Sequence, residues 1–158
     1  MTLGSRPTPA PIHLDATDRQ IIRELKQDAR IAWAELGRRV SLTPPAVRDR
    51  VRRMERAGVI TGYHAAIDPG GFGRPIGAIV RVSTPTQARV DRLVEYARER
   101  DEVVECHTLT GDDSVLLRLQ VSNLVELDRV ASSLANFGRT TTSMILDTPI
   151  QWRTAVTR

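Results

Sequence analysis

The sequence predicts an α+β protein of two modules, one built of short helices and one in which strands and helices alternate. Three observations carry this reading. Apolar residues recur at helical spacing over 15–57. Residues 76–110 and 114–148 form two equal strand–helix–strand halves. Between them, residues 68–75 hold three glycines and two prolines, the mark of a hinge loop.

Residues 1–14, with Pro7, Pro9 and Pro11 among small side chains, read as a flexible tail. From Asp15 to Asp28, Ile21, Ile22 and Leu25 fall on one helical face, with Asp15 or Thr17 as the cap. The run Gln27-Asp28-Ala29-Arg30 breaks the pattern. A short helix follows over about Trp33 to Val40, with Leu36 and Val40 on one face. Ser41-Leu42 is a tight turn, and Thr43 caps a third helix. Pro44 takes its first position, where a missing N–H costs nothing. Leu42 and Val47 have the spacing of a hydrophobic staple. The helix runs to Ala57, Gly58 ends it, and Val59 to Tyr63 reads as a short strand. The first domain therefore spans 15–63, and residues 64–75 connect it to the second.

In the second module Ile76, Ala78, Val80 and Val82 alternate as a strand, and Val90, Leu93, Val94 and Ala97 make a helical stripe. Val103 to Thr110 is rich in β-formers, and Val115, Leu117, Leu119 and Val121 alternate strictly. A second stripe, Leu124, Leu127, Val130, Ala131 and Leu134, precedes a β-rich segment from Thr140 to Leu146. This βαββαβ order over 76–150 is the ferredoxin-like plan, with both helices on one face of an antiparallel sheet. The opposite face carries Ile79, Leu116 and Ile145, which no remaining element covers, so self-association is expected. Residues 151–158 read as a C-terminal tail.

Composition narrows the function. The longest apolar run, Ile76 to Val80, is far too short to span a bilayer, and the first fourteen residues lack the apolar core of a secretion signal. One cysteine, Cys106, excludes an internal disulfide. The expectation is a cytoplasmic protein with no membrane partner. Charge is uneven. Residues 15–63 carry eleven Lys/Arg and seven Asp/Glu, whereas 64–158 carry eleven and twelve. The basic module is therefore the first one, and the position of its arginines decides what they can do.

Helix 43–57 is the most informative segment. At about 100° per residue, Val47, Val51 and Met54 fall within roughly 60° of one another and form the buried stripe. Arg48, Asp49, Arg52, Arg53 and Arg56 take the remaining arc, and Arg50, beside the stripe, is expected to pair with a neighbouring carboxylate. Three short helices, a tight turn, a capped arginine-rich third helix and a small strand make a winged helix-turn-helix. An α-helix fits the major groove with its first turns at the base edges and its basic flank on phosphates. Thr43, Pro45, Arg48, Asp49 and Arg52 are the expected groove contacts, and Arg53 and Arg56 are expected to hold the duplex backbone.

No other pattern carries chemistry. Cys106 and His107 are neighbours on a strand and face opposite sides, so they cannot chelate one metal as a local pair. Turn chemistry alone explains Asp112-Asp113, and the glycines of 70–73 lack the strand–loop–helix order of a phosphate loop. No catalytic residues, metal site or cofactor are expected, and the chain reads as a non-enzyme.

With both modules placed, the chain resembles the Lrp/AsnC family of transcriptional regulators over about residues 14–150. The residues that carry the resemblance are Leu14-Asp15-Ala16-Thr17-Asp18-Arg19-Gln20-Ile21-Ile22, Arg30-Ile31, the run from Leu42 to Glu55, and Gly58-Val59-Ile60-Thr61-Gly62-Tyr63. In the second module they are Val104-Glu105-Cys106-His107 and Thr110-Gly111-Asp112. The resemblance implies a winged helix-turn-helix that binds double-stranded DNA and a C-terminal RAM domain that dimerises through its sheet and assembles further, to tetramers or octamers. It also implies an amino acid or similar small effector held near Thr110, Gly111, Asp112, Asp113 and Ser114, with Thr141 and Ser143 opposite. A cytoplasmic, nucleoid-associated protein would follow. The chain departs from the family at three places: Asp113, Ser114 and Val115 stand where an aromatic residue, Asp and often Tyr are usual, Ser41 where Gly is usual, and Ala32 where a capping Ser or Thr is common. The last two should cost about 1 kcal/mol or less each. Two further readings fit the same plan. One is an architectural protein that bridges DNA with little sequence preference. The other is a tetrapyrrole decarboxylase-like enzyme, for which His107 and Arg118 are the available residues.

Overall fold

The computed structural model describes residues 12–150. The C-terminal tail, 151–158, and most of the N-terminal one lie outside the described residues. The chain divides between Ala66 and Ile67 into two compact units.

The first unit holds α1 (Ala16–Gln27), α2 (Trp33–Val40) and α3 (Pro44–Arg56). Asp15 caps α1: its side chain accepts from the Asp18 amide at 2.7 Å, and the Asp18 side chain returns the bond to the Asp15 amide at 3.1 Å. Ile21, Leu25, Leu36, Val40, Val47, Val51 and Met54 close the core. Ile12 and Leu14, placed in the tail by the sequence, pack against it.

The strand expected over 59–63 is not formed. Gly58, at φ 69°, begins a left-handed turn, and the Gly58 amide donates to the Glu55 carbonyl while the Val59 amide donates to that of Met54. The Ile60 amide also reaches the Met54 carbonyl, at 3.3 Å. The donors a strand would use therefore close the end of α3, and Val59 and Ile60 pack against the helical core instead.

The second unit begins with a 3-10 turn at Pro69–Phe72 and continues as β1 (Ile76–Ser83), α4 (Gln87–Arg98), β2 (Val103–Thr108), β3 (Val115–Val121), α5 (Leu124–Leu134) and β4 (Arg139–Met144). The sheet is antiparallel in the order β2-β3-β1-β4, the ferredoxin-like arrangement. Strands β2 and β4 each end two residues earlier than the sequence suggested. Ala78, Val80 and Val82 of β1 and Val115, Leu117 and Leu119 of β3 are buried with Leu93, Leu127 and Leu134 of the two helices. Gly138 lets β4 start beside β1, because a Cβ there would lie 2.1 Å from the Ser83 carbonyl oxygen.

The other sheet face is more polar than Ile79, Leu116 and Ile145 alone suggested. Register places Arg81 between Leu116 and Thr141, and Ile79 between Arg118 and Ser143. All three apolar residues are only half-buried.

Candidate nucleic-acid interface and effector site

The approach to α3 is set by backbone. Ser41 ends α2 in the left-handed region, at φ 55°, and the Leu42 amide donates back to Gly37 at 2.9 Å. A Cβ at position 37 would lie 2.5 Å from the Leu42 carbonyl oxygen, so only glycine fits this turn without backbone movement. Thr43 occupies the cap position of α3 as expected, but its side chain makes no capping bond. Ala32, at the cap of α2, makes none either.

On α3 the buried Val47, Val51 and Met54 oppose an exposed arc of Pro45, Arg48, Asp49, Arg52 and Arg56. At about 100° per residue these five occupy one contiguous sector of roughly 100°. Arg48, Arg52 and Arg56 have no carboxylate partner among the described residues. Thr43 is exposed at the head of the helix.

Arg50, beside the buried stripe, and Arg53, at the edge of the exposed sector, both pair with carboxylates at the start of α1. Arg50 donates to Asp15 at 2.6 Å and to Asp18 at 2.9 Å, the carboxylate pairing expected for it. Arg53, assigned from the sequence to the DNA backbone, is paired with the second oxygen of Asp18. The Asp18 side chain is fully buried. Helix α3 is thus tied to the first turn of α1 by two arginines three residues apart. The Asp18 amide and Arg50 hold the Asp15 carboxyl down at about 2. On α2, Arg38 and Arg39 both bond Glu35 and lower its carboxyl to about 2, and Arg39 also reaches Glu24 of α1 at 2.7 Å. At the far end, the Tyr63 hydroxyl donates to Glu55 at 2.9 Å, and desolvation with this carboxylate pushes the phenol up to about 12.

In the second unit, Thr110, Gly111 and Asp112 form an exposed turn between β2 and β3, with Gly111 at φ 107°. Ser114 is used structurally: its hydroxyl accepts from the Thr84 amide at 3.0 Å and its amide donates to Val82. Asp113 pairs with Arg81 at 3.5 Å. Arg81 is the cross-strand neighbour of Thr141, and Ser143 lies two residues along on the same sheet face. Register thus places Thr141 beside Arg81 and Ser143 beside Ile79 in the middle of β1, and Arg81, which was not among the expected residues, links Asp113 to Thr141. Its only signal is a polar position in an otherwise apolar alternating strand. His107 and Arg118 meet on this face through Glu105, at 3.3 and 2.7 Å, where Arg118 and His107 outweigh desolvation and lower the Glu105 carboxyl. No group of three or more His, Cys, Asp or Glu fit to hold a metal occurs among the described residues, and no helix there is long and apolar enough to cross a membrane.

This pairing of a helix-turn-helix unit with a ferredoxin-like unit is matched along the chain. Residues 14–55 fit the model of the AsnC-type helix-turn-helix domain, and residues 77–154 that of the Lrp/AsnC ligand-binding domain. The HTH-type transcriptional regulator LrpC of Bacillus subtilis is 31% identical over 132 residues, which cover 84% of this chain and 91% of LrpC. The chain belongs to the Lrp/AsnC family of transcriptional regulators. Among other Lrp/AsnC proteins, the leucine-responsive regulatory protein of Escherichia coli is 35% identical over 114 residues, 70% of this chain and 69% of its own. A feast or famine regulatory protein from M. tuberculosis, solved in complex with L-methionine, superposes with a TM-score of 0.83 at 31% identity, covering 92% of this chain and 100% of that one. In an Lrp/AsnC regulator the helix-turn-helix is the DNA-binding element, so the arginine arc of α3 lies on the unit that meets DNA.

Proposed function

We propose that this regulator reads operator DNA with the exposed arc of α3 and tunes that binding through an amino acid or similar zwitterion held by its second unit. Thr43, Pro45, Arg48, Asp49 and Arg52 face base edges in the major groove, and Arg56 holds a phosphate. The observation that supports this most is that Arg48, Arg52 and Arg56, which have no carboxylate partner among the described residues, share one exposed sector of α3, while Arg50 and Arg53 pair with Asp15 and Asp18. The protein works as a dimer or a larger assembly, and two recognition helices enter successive major grooves roughly 34 Å apart. Three neutralised phosphates per subunit give a dimer a salt slope near −5.

The effector lies against the Thr110–Ser114 turn. Backbone amides around Gly111 suit a carboxylate and Asp112 suits an ammonium, with Thr141 and Ser143 across from them. Relatives named for leucine or solved with L-methionine support an amino acid here. Because Asp113 stands where an aromatic residue is usual and pairs with Arg81, the effector's side chain meets polar groups.

Footprinting on the DNA upstream of the protein's own gene tests the helix. Arg48→Ala and Arg52→Ala are each expected to weaken the footprint by about 1–3 kcal/mol. Both variants protecting DNA like the wild type would refute this orientation of α3. Repeating the titration with a panel of amino acids tests the effector, through a shifted midpoint with one of them and none with the rest.

A further inference from the structure

We infer that Asp18 sets the affinity and salt dependence of the DNA interface: by pairing with Arg53 it limits how tightly α3 grips any duplex. This rests on the reading of α3 as the DNA-contacting helix. Asp18 is fully buried, yet it is a carboxylate with both oxygens used, one by Arg50 and the other by Arg53 and the Asp15 amide. Burying an ionised carboxylate is costly unless its partners are well placed, and two guanidiniums meet that need here.

The two arginines are not equivalent. Arg50 has a second carboxylate, Asp15, and sits next to the apolar stripe. Arg53 has Asp18 alone, and 47% of its side chain is exposed. At about 100° per residue it lies next to the sector that carries Arg48, Arg52 and Arg56. Without Asp18 it would become a fourth free cation at the edge of the interface. A phosphate contact of that kind adds affinity for every sequence equally and no discrimination. Asp18 removes it, so Arg53 is not added to the phosphate contacts of the interface. Affinity for operator and random duplex alike is lower as a result, and so is its dependence on salt.

The test is the salt dependence of binding to a 30-base-pair duplex of random sequence, with the full-length chain and thermal melts as a check on folding. For a dimer the wild-type slope is near −5, and each phosphate contact contributes about 0.9. Asp18→Asn is close in shape, leaves Arg50 on Asp15 and releases Arg53. It should steepen the slope toward about −7 and bind the random duplex several-fold tighter. Arg53→Gln alone should leave the wild-type slope unchanged, because its charge is already committed. The double variant should return to the wild-type slope. A purely structural ion pair would change the melts and leave these slopes alone.

A flatter slope for Arg53→Gln, toward about −3.6, overturns the inference, because Arg53 would then be a phosphate contact despite Asp18. An unchanged slope for a folded Asp18→Asn overturns it as well. If Asp18→Asn does not fold, Asp18→Ser, which also releases Arg53, is read in its place by the same slopes. Arg56→Gln separates this inference from the reading beneath it: a slope it fails to flatten removes α3 from the interface, and the role of Asp18 with it.

Discussion

Two neighbouring backbone positions, Gly37 and Ser41, show how finely the turn before α3 is set. A methyl group at position 37 would meet the Leu42 carbonyl oxygen, which α2 and α3 together hold in place. Gly37→Ala should therefore lower the stability of the first unit by about 2 kcal/mol or more. Ser41 has the opposite sign. It occupies the left-handed region at φ 55°, where glycine has no steric penalty, so Ser41→Gly should raise stability by about 0.5–1 kcal/mol. Urea unfolding of both variants checks the pair, and midpoints that fail to move in opposite directions would contradict this account of the turn. At this scale the sequence was partly legible. Asp15 could be named as a cap because acceptor side chains just before an apolar helix have few other roles. The pairing of Asp18 with Arg53 could not, since those residues are 35 apart and only the packing of α1 on α3 brings them together.

Elements were the most legible level, because apolar periodicity follows from burying one face. The βαββαβ order and the face assignment of Ala78, Val80 and Val82 both emerged from alternation alone. The Val59–Tyr63 strand did not form, because its residues have β propensity but their amides are taken by the end of α3. Propensity records what side chains prefer and says nothing of where backbone donors go. The cap of α1 with its Arg50 pair and the ion pairs within α2 add a pH dependence. Asp15 and Glu35 have carboxyls lowered to about 2 from ordinary values of 3.8 and 4.5. A depressed folded value stabilises the fold above the unfolded value, and that stabilisation is lost as pH falls toward the folded one. The helices of the first unit should keep a constant unfolding midpoint from neutral pH down to about 5, then weaken between about pH 4.5 and 2. Fluorescence of Trp33, isolated by Trp152→Phe, reads that unit. A midpoint unchanged down to pH 2 would contradict the roles given to these pairs.

For the whole molecule, the sheet face opposite α4 and α5 is the surface proposed for self-assembly. Half-buried Ile79, Leu116 and Ile145 are interleaved with Arg81, Arg118, Glu105 and His107, a mixture that suits a specific self-contact better than a general apolar one. Light scattering should give a multiple of the 17.6 kDa chain mass, and Ile79→Glu should return it to one chain. A wild-type protein that runs as a single chain would contradict the assembly proposed here. The residues proposed for the effector were legible only as a set of chain positions. The placement of Thr141 beside Arg81 depends on the pairing of β1 with β4, which alternation cannot specify.

The central claim is that α3 enters the major groove, and a cleaving group tethered to it tests this most directly. Arg48→Cys in a Cys106→Ser background offers one thiol for an iron chelate that cuts nearby deoxyribose. The account predicts two clusters of cuts on the DNA upstream of the protein's own gene, about one helical turn apart and absent from an unrelated duplex. Uniform cutting of both duplexes, or none of either, would contradict it.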